Sequence, residues 1–215
     1  MKIAVLGTGE VGRRLASAFV ANGHQVTLGS RTADNTNAAQ WAAEQGGSHG
    51  TFAQAAADAE LVVNATAGLV SLDVLTAAGA ENLDGKVVVD VSNPLDFSAG
   101  FPPKVLQKDG LSVAEQIQRA FPGARVVKTL NTMNNIVMVE PSLVPGHHNV
   151  FVSGDDADAK TVVTDLLQEF GWSSAQIIDL GELSTAGGTE LVLPLWVQLY
   201  GKLDGKPFNF AVVTA

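Results

Sequence analysis

Cysteine is absent from the 215 residues. That excludes disulfides, thiol nucleophiles and thiolate metal ligands, and leaves four histidines as the only soft ligands. Charge is scarce as well: charged residues make up 16% of the chain, and 13 basic side chains face 22 acids, for a net charge of −9. No run of Lys and Arg provides the basic face that a phosphate backbone demands, so nucleic acid is excluded as a partner. No apolar run reaches the length of a membrane span, and none is followed by a signal cleavage site. The expectation is a cytoplasmic protein with no membrane partner. The length and the 46% apolar content suffice for one domain with a real core and, at most, a small appended lobe.

What the chain does have is an apolar strand pattern at Ile3–Leu6 running into Gly7-Thr8-Gly9-Glu10-Val11-Gly12, and then a helical pattern. Glycines spaced G-x-G-x-x-G occur by accident in a glycine-rich chain, but strand, turn and helix in this order give each one a steric task. Gly7 permits the tight turn, Gly9 lets the backbone approach a pyrophosphate, and Gly12 lets the helix pack against the strand. The helix N-terminus, with the amides of Gly9, Glu10 and Val11, then faces the anion. Thr8 is a further candidate donor.

The end of the second strand decides which dinucleotide is bound. An acid there would hold a free ribose hydroxyl. The segment reads Gly29-Ser30-Arg31-Thr32, without a carboxylate. Ser30 offers a hydroxyl donor and Arg31 a guanidinium that pairs with a 2′-phosphate and stacks on adenine, so NADP(H) is favoured over NAD(H), with Thr32 as an auxiliary donor. The plainer alternative for Arg31 is a solvated loop cation. Arg13, Arg14 and Lys128 are the other cations available to an anionic cofactor, and at most one of the adjacent Arg13 and Arg14 is expected to face it.

Further strand patterns fall at Val26–Leu28, Leu61–Ala65, Val87–Val91, Arg125–Leu130, Asn149–Ser153 and Gln176–Leu180. Helical stretches lie between most of them, at Asn37–Gly46, Ala53–Ala59, Ser112–Ala120 and Asp155–Phe170. Ser112 and Glu115 have the spacing of a capping box. This alternation predicts an α/β fold, a doubly wound parallel sheet covered on both faces. In such sheets ligands bind beyond the carboxyl ends of the strands, which singles out Thr66-Ala67-Gly68 with the preceding Ala65, then Ser92-Asn93-Pro94, then Asn131-Thr132-Met133. Asn93-Pro94 also reads as an ordinary turn. His147 and His148 are adjacent in a loop and are read as structural or solvated, with no metal site. Residues 1–183 form the expected dinucleotide-binding domain and 184–215 a small C-terminal helical lobe, whose last helix carries Trp196 and Tyr200 to cover the sheet edge, the cleft or a second subunit.

Taken together, Gly7-Thr8-Gly9-Glu10-Val11-Gly12, Gly29-Ser30-Arg31, Asp90-Val91-Ser92-Asn93-Pro94 and Lys128-Thr129-Leu130-Asn131-Thr132 resemble the F420-dependent NADP oxidoreductases, which are NADPH-dependent reductases of a deazaflavin coenzyme. The resemblance covers most of the chain. It implies a compact Rossmann fold, usually paired as a homodimer, that holds NADP(H) against coenzyme F420 for direct hydride transfer with no catalytic side chain. Ala65, Thr66, Ala67, Asn93 and Pro94 would then border the nicotinamide end, and Asn131, Thr132 and Met133 the acceptor. Two alternatives stay open: an NADPH-dependent flavin or ferric reductase using FMN or FAD, and a non-catalytic NADP(H)-binding sensor.

Overall fold

The computed structural model spans residues 1–215. In chain order the elements are β1 (Lys2–Leu6), α1 (Glu10–Ala21), β2 (Gln25–Ser30), α2 (Thr36–Gln45), β3 (Ser48–Thr51), α3 (Phe52–Ala57), β4 (Leu61–Asn64), α4 (Ser71–Ala78) and β5 (Val87–Asp90). A two-stranded hairpin follows, β6 (Leu95–Asp96) and β7 (Lys104–Val105). The remainder comprises α5 (Val113–Ala120), β8 (Arg125–Thr129), α6 (Asn135–Val139), β9 (Val150–Gly154), α7 (Ala157–Glu169), β10 (Ile177–Asp179), α8 (Ala186–Leu191) and α9 (Leu193–Lys202).

Eight strands form one sheet in the order β10-β9-β8-β5-β4-β1-β2-β3. The first three strands progress to one side of β1, and β4, β5 and β8 to the other, so the topological switch lies between β1 and β4, where such sheets open a ligand crevice. Neighbouring strands are parallel except β8 and β9. The connection between these two carries only the short α6 and a further turn, and it re-enters the sheet at the end it left: Thr129 is opposite Val152 and Val127 opposite Gly154.

Period-two alternation divides the core between the two faces. On one, Ile3 and Val5 of β1, Leu61 and Val63 of β4, and Val87 and Val89 of β5 pack under α1, α2, α6 and α7. On the other, Ala4, Leu6, Val62 and Val88 meet α3, α4, α5 and Ala186 of α8. The inner strands read as continuous apolar runs because both of their faces are covered. α1 buries Gly12, Leu15, Ala16 and Phe19, the spacing of one helical stripe.

Local signals explain several boundaries. Ser112 and Glu115 form the expected capping box at α5, and Thr51 and Gln54 form another at α3. Asn35 and Asp156 cap α2 and α7 by accepting the Ala38 and Ala159 amides. Six elements, β3, α4, β6, β7, α6 and α8, have too weak a local pattern to be expected from sequence. β3, Ser-His-Gly-Thr, is an edge strand held by pairing with β2, while α4 and α8 take their places from packing. No helix is long and apolar enough to cross a membrane.

Beyond α9 the chain turns at Asp204 and Gly205 and runs back as a strap. The Asn149 amide donates to the Phe210 carbonyl (2.9 Å), and Asn209 Nδ2 donates to the Asn149 carbonyl (2.9 Å). Trp196 stacks on Tyr200 and Phe208 with centroids 5.1 and 5.5 Å apart, so the aromatic face of the last helix is covered in part by the chain's own tail. His148 is buried in the same region, with Nε2 3.1 Å from the Pro141 carbonyl and Nδ1 3.0 Å from the Asn209 amide, while His147 is exposed.

Candidate active site

The glycine loop has the form its spacing requires. Gly7 adopts φ of 120°, and a Cβ there would lie 2.6 Å from the Ala65 carbonyl oxygen. At Gly12 a Cβ would fall 1.9 Å from the carbonyl oxygen of Gly7, so the helix rests directly on the turn. At Gly9 nothing lies within 4 Å: its missing side chain leaves open space in front of the helix. Gly9 is also the N-cap of α1 and supplies no side-chain acceptor, so the first-turn amides project uncapped into that space. Glu10 is exposed, and Thr8 and Val11 are half-buried.

Arg13 folds back to donate from Nη1 to the Thr8 carbonyl (3.0 Å), bracing the loop, while Arg14 is exposed. A groove of about 1080 Å³ lies on the outer side of α1, between α2 and α6, with Tyr200 and Gly205 also on its wall. It touches the first turn of α1 at Glu10 and Arg13, and Asn134 and Asn135, just beyond the turn after β8, also line it.

At the end of β2, Arg31 and Thr32 are exposed and no carboxylate stands beside them before Asp34. Ser30 corrects one expectation. It is 3% exposed, and its hydroxyl lies 2.6 Å from the Thr32 carbonyl and 3.2 Å from that of Gly50. It braces the Arg31 turn from below and is no free phosphate donor.

Three strand-end turns are bound into one surface across the switch point. The Gly68 amide donates to the Asn93 carbonyl (3.0 Å). Asn93 and Asn131 exchange bonds: Asn93 Nδ2 donates to the Asn131 carbonyl (2.8 Å) and Asn131 Nδ2 to Asn93 Oδ1 (2.9 Å). A Cβ at Gly68 would lie 2.5 Å from the Asn93 carbonyl, so the approach of these turns requires glycine. Ala65 and Thr66 are half-buried and Ala67 is exposed, while Asn93 is half-buried and Pro94 buried. Asn131 and Thr132 are buried at the rear of this surface, and Met133 is corrected outright: it is 5% exposed and belongs to the hydrophobic core. The physical reason is the turn after β8, where buried Leu130 adopts φ of 62° and the chain folds inward.

Beneath the turns lies a polar network that reading strand by strand missed. Asn64 and Asp90, the last residues of β4 and β5, stand in register with Lys128, the penultimate residue of β8, and all three are buried. Asn64 Nδ2 donates to Asp90 Oδ1 and to the Ser71 hydroxyl, both at 2.8 Å, and Thr66 donates to Asn64 Oδ1 (2.7 Å). Lys128 Nζ donates to Asp90 Oδ2 (2.8 Å), Glu190 Oε1 (2.8 Å) and the Ser92 carbonyl (2.6 Å), which accounts for all three of its protons. Lys128 is therefore corrected from candidate phosphate ligand to buried counter-ion. Burial alone would push its ammonium down, but the two carboxylates outweigh this and hold it above the ordinary lysine range.

Glu190, on α8, is the second buried carboxylate beside a single cation. Burial pushes its carboxyl above the ordinary range, reinforced by Asp90 and opposed by Lys128 and the Val113 amide. The polar residue that follows the paired valines in LVVN, VVVD and RVVKT was the available signal for Asn64, Asp90 and Lys128. No sequence signal marks Glu190 as their partner.

An uncapped helix N-terminus over a glycine turn, at the switch point of a doubly wound sheet, defines a Rossmann-type dinucleotide-binding protein. Residues 2–94 match the model for the NADP oxidoreductases that are coenzyme F420-dependent. The F420-dependent NADP reductase of Methanothermobacter thermautotrophicus is 30% identical over 210 residues, covering 93% of this chain and 89% of that protein. A crystal structure from Arthrobacter sp. FB24, whose name assigns it provisionally as an F420-dependent NADP reductase, superposes with a TM-score of 0.94 at 52% identity over the full length of both chains. Metalloreductase STEAP3 of Rattus norvegicus is 28% identical over 199 residues; the match covers 91% of this chain but only 38% of STEAP3. The chain belongs to the F420-dependent NADP oxidoreductase family, whose members are oxidoreductases using NADP(H) and coenzyme F420.

Proposed function

We propose that the protein transfers a hydride between NADP(H) and the deazaflavin coenzyme F420. The observation that carries this reading is the glycine loop: open space at Gly9 lies before the uncapped first turn of α1, within a chain that matches F420-dependent NADP reductases over nearly its whole length. A pyrophosphate fits there because the free amides of Glu10 and Val11 are donors and no side chain blocks its approach. Exposed Arg31, with no carboxylate beside it, suits a 2′-phosphate, and Thr32 stands next to it.

Ala65, Thr66, Ala67, Asn93 and Pro94 form the surface proposed for the nicotinamide end. Asn131 supports it from behind through Asn93. When bound, NADP(H) and F420 supply the hydride donor and acceptor, so the chain needs no acid, base or nucleophile. Its residues bind, orient and exclude water. In the same reading, residues 184–215 are a lobe that closes the acceptor side, and two copies pair as a dimer.

A second reading has one observation in its favour. The similarity to metalloreductase STEAP3 spans 91% of this chain, so a flavin or a ferric complex is the competing acceptor. The test is NADPH oxidation by the purified protein, followed by absorbance with F420, FMN, FAD, ferric citrate and no acceptor in parallel, and with NADH as control donor. Turnover only with F420 and NADPH is expected. Turnover only with flavin or iron would replace the primary reading, and tight NADPH binding without turnover on any acceptor would favour a sensor.

A further inference from the structure

We propose that Lys128 is a positioning residue that sets the nicotinamide-side turn, through its grip on the Ser92 carbonyl, and that Glu190 links the C-terminal segment to the same grip. The inference rests on the proposed NADP(H) site but not on the identity of the acceptor. Lys128 is 1% exposed and touches neither the crevice nor solvent, so it acts only through what it holds. It holds Asp90, Glu190 and the Ser92 carbonyl.

Ser92 is followed by Asn93, whose carbonyl receives the Gly68 amide and whose side chain is paired with Asn131. The Ser92 carbonyl belongs to the Ser92–Asn93 peptide, so fixing it orients Asn93, whose own carbonyl and side chain join the turns after β4, β5 and β8. Two carboxylates explain why the gripping group is a cation. Asp90 also accepts the Ser92 amide on Oδ1 (3.2 Å), so Ser92 is held at both its N–H and its C=O from the same ion cluster. Glu190 comes from α8 and accepts the Val113 amide at the start of α5 (2.9 Å), with Gln107 Nε2 3.4 Å from its other oxygen. The cluster is thus the joint between the sheet, α5 and the C-terminal segment.

Lys128→Met alone would strand two buried carboxylates and damage folding for reasons unrelated to positioning. The informative variant combines Lys128→Met with Asp90→Asn and Glu190→Gln. It removes all three charges together and keeps acceptors for the Ser92 and Val113 amides. Calorimetry on parent and triple variant would compare NADPH with 2′-phospho-ADP-ribose, which lacks the nicotinamide end. Amide hydrogen exchange at Gly68, in the protein without cofactor, gives a second readout.

The expected result is at least a tenfold loss of NADPH affinity, 2′-phospho-ADP-ribose binding unchanged within twofold, and at least tenfold faster exchange at Gly68 with Val88 and Val127 unaffected. Equal losses for both ligands, no loss for either, or unchanged Gly68 exchange would overturn the assignment. A parent that binds neither ligand would bring down the NADP(H) reading, while the Gly68 measurement would still decide whether Lys128 sets the turn.

Discussion

Replacing Gly12 and Gly9 by alanine separates two roles that the glycine spacing alone cannot. At Gly12 the added Cβ would sit 1.9 Å from the Gly7 carbonyl oxygen, about 1.5 Å inside ordinary contact at 3.4 Å. Both partners are backbone, so no rotamer change relieves the clash. The start of α1 must lift off the turn, against the buried Leu15, Ala16 and Phe19 that hold the helix to the sheet. Overpacking of this kind costs about 1–3 kcal/mol. For a chain of this size that lowers the melting temperature by roughly 2–12 °C. Lifting the helix also removes its first amides from the pyrophosphate position. Loss of two charge-assisted bonds at about 1.5–3 kcal/mol each weakens NADPH binding on the order of a hundred- to ten-thousand-fold.

Gly9→Ala should dissociate the two effects. Gly9 has φ of −72° and ψ of −176°, which alanine adopts freely, and nothing lies within 4 Å of its Cβ position. Its melting temperature should stay within about 2 °C of the parent, but the methyl group enters the cofactor's path and NADPH affinity should fall at least about tenfold. Gly188→Ala, in α8 with open space around it, is the control: stability should rise by about 0.5–1 kcal/mol with NADPH binding unchanged. Differential scanning fluorimetry and NADPH fluorescence titration read all three. Parent-like NADPH affinity in a folded Gly9→Ala protein would refute the pyrophosphate assignment, and a parent-like melting temperature for Gly12→Ala would refute the steric argument.

Other outcomes are specific to single side chains. Arg31→Asp should weaken NADPH binding by about ten- to a hundredfold, the worth of one charge-assisted contact, and leave NADH binding no weaker; equal loss for both would remove Arg31 from the 2′-phosphate site. Glu190→Gln should stabilise the protein at neutral pH. A carboxyl raised on folding contributes stability that is present below its ordinary value of 4.5 and lost as pH rises through the folded value, so melting curves of parent and variant should converge below about pH 4.5 and separate above it. At Asp179 the sign reverses: burial is outweighed by Lys160, 2.8 Å away, and by the Gly181 amide, so its carboxyl lies below the ordinary 3.8. That stability is present above 3.8 and lost as pH falls through the folded value. With the pair partly exposed, hydrogen exchange should show β10 loosening before the inner strands by about 0.2–1 kcal/mol, and Lys160→Met should abolish the difference.

Local chemistry in the sequence determined much of this protein. The apolar β-branched runs of β1, β4, β5 and β8 determine inner strands, because only a sheet covered on both faces buries every residue of such a run. The spacing of Gly7, Gly9 and Gly12 after β1 determines a tight turn running into an uncapped helix start, and the absence of an acid beside Arg31 is the local feature on which the proposed 2′-phosphate site rests. These signals are legible because each depends on neighbours within a few residues. β3 escaped because its pairing with β2, and no apolar pattern of its own, makes it a strand.

Tertiary structure decided the rest, wherever a side chain's role is set by residues far along the chain. Ser30 lost its apparent freedom to the Gly50 carbonyl, twenty residues away. Met133 went into the core because the turn at Leu130 reverses the chain. Lys128 changed from free cation to buried counter-ion when Asp90 and Glu190 met it from 38 and 62 residues away. A buried charge is tolerated only where its partners converge, and that convergence exists only once the sheet has placed β5 beside β8 and α8 has brought Glu190 to Lys128.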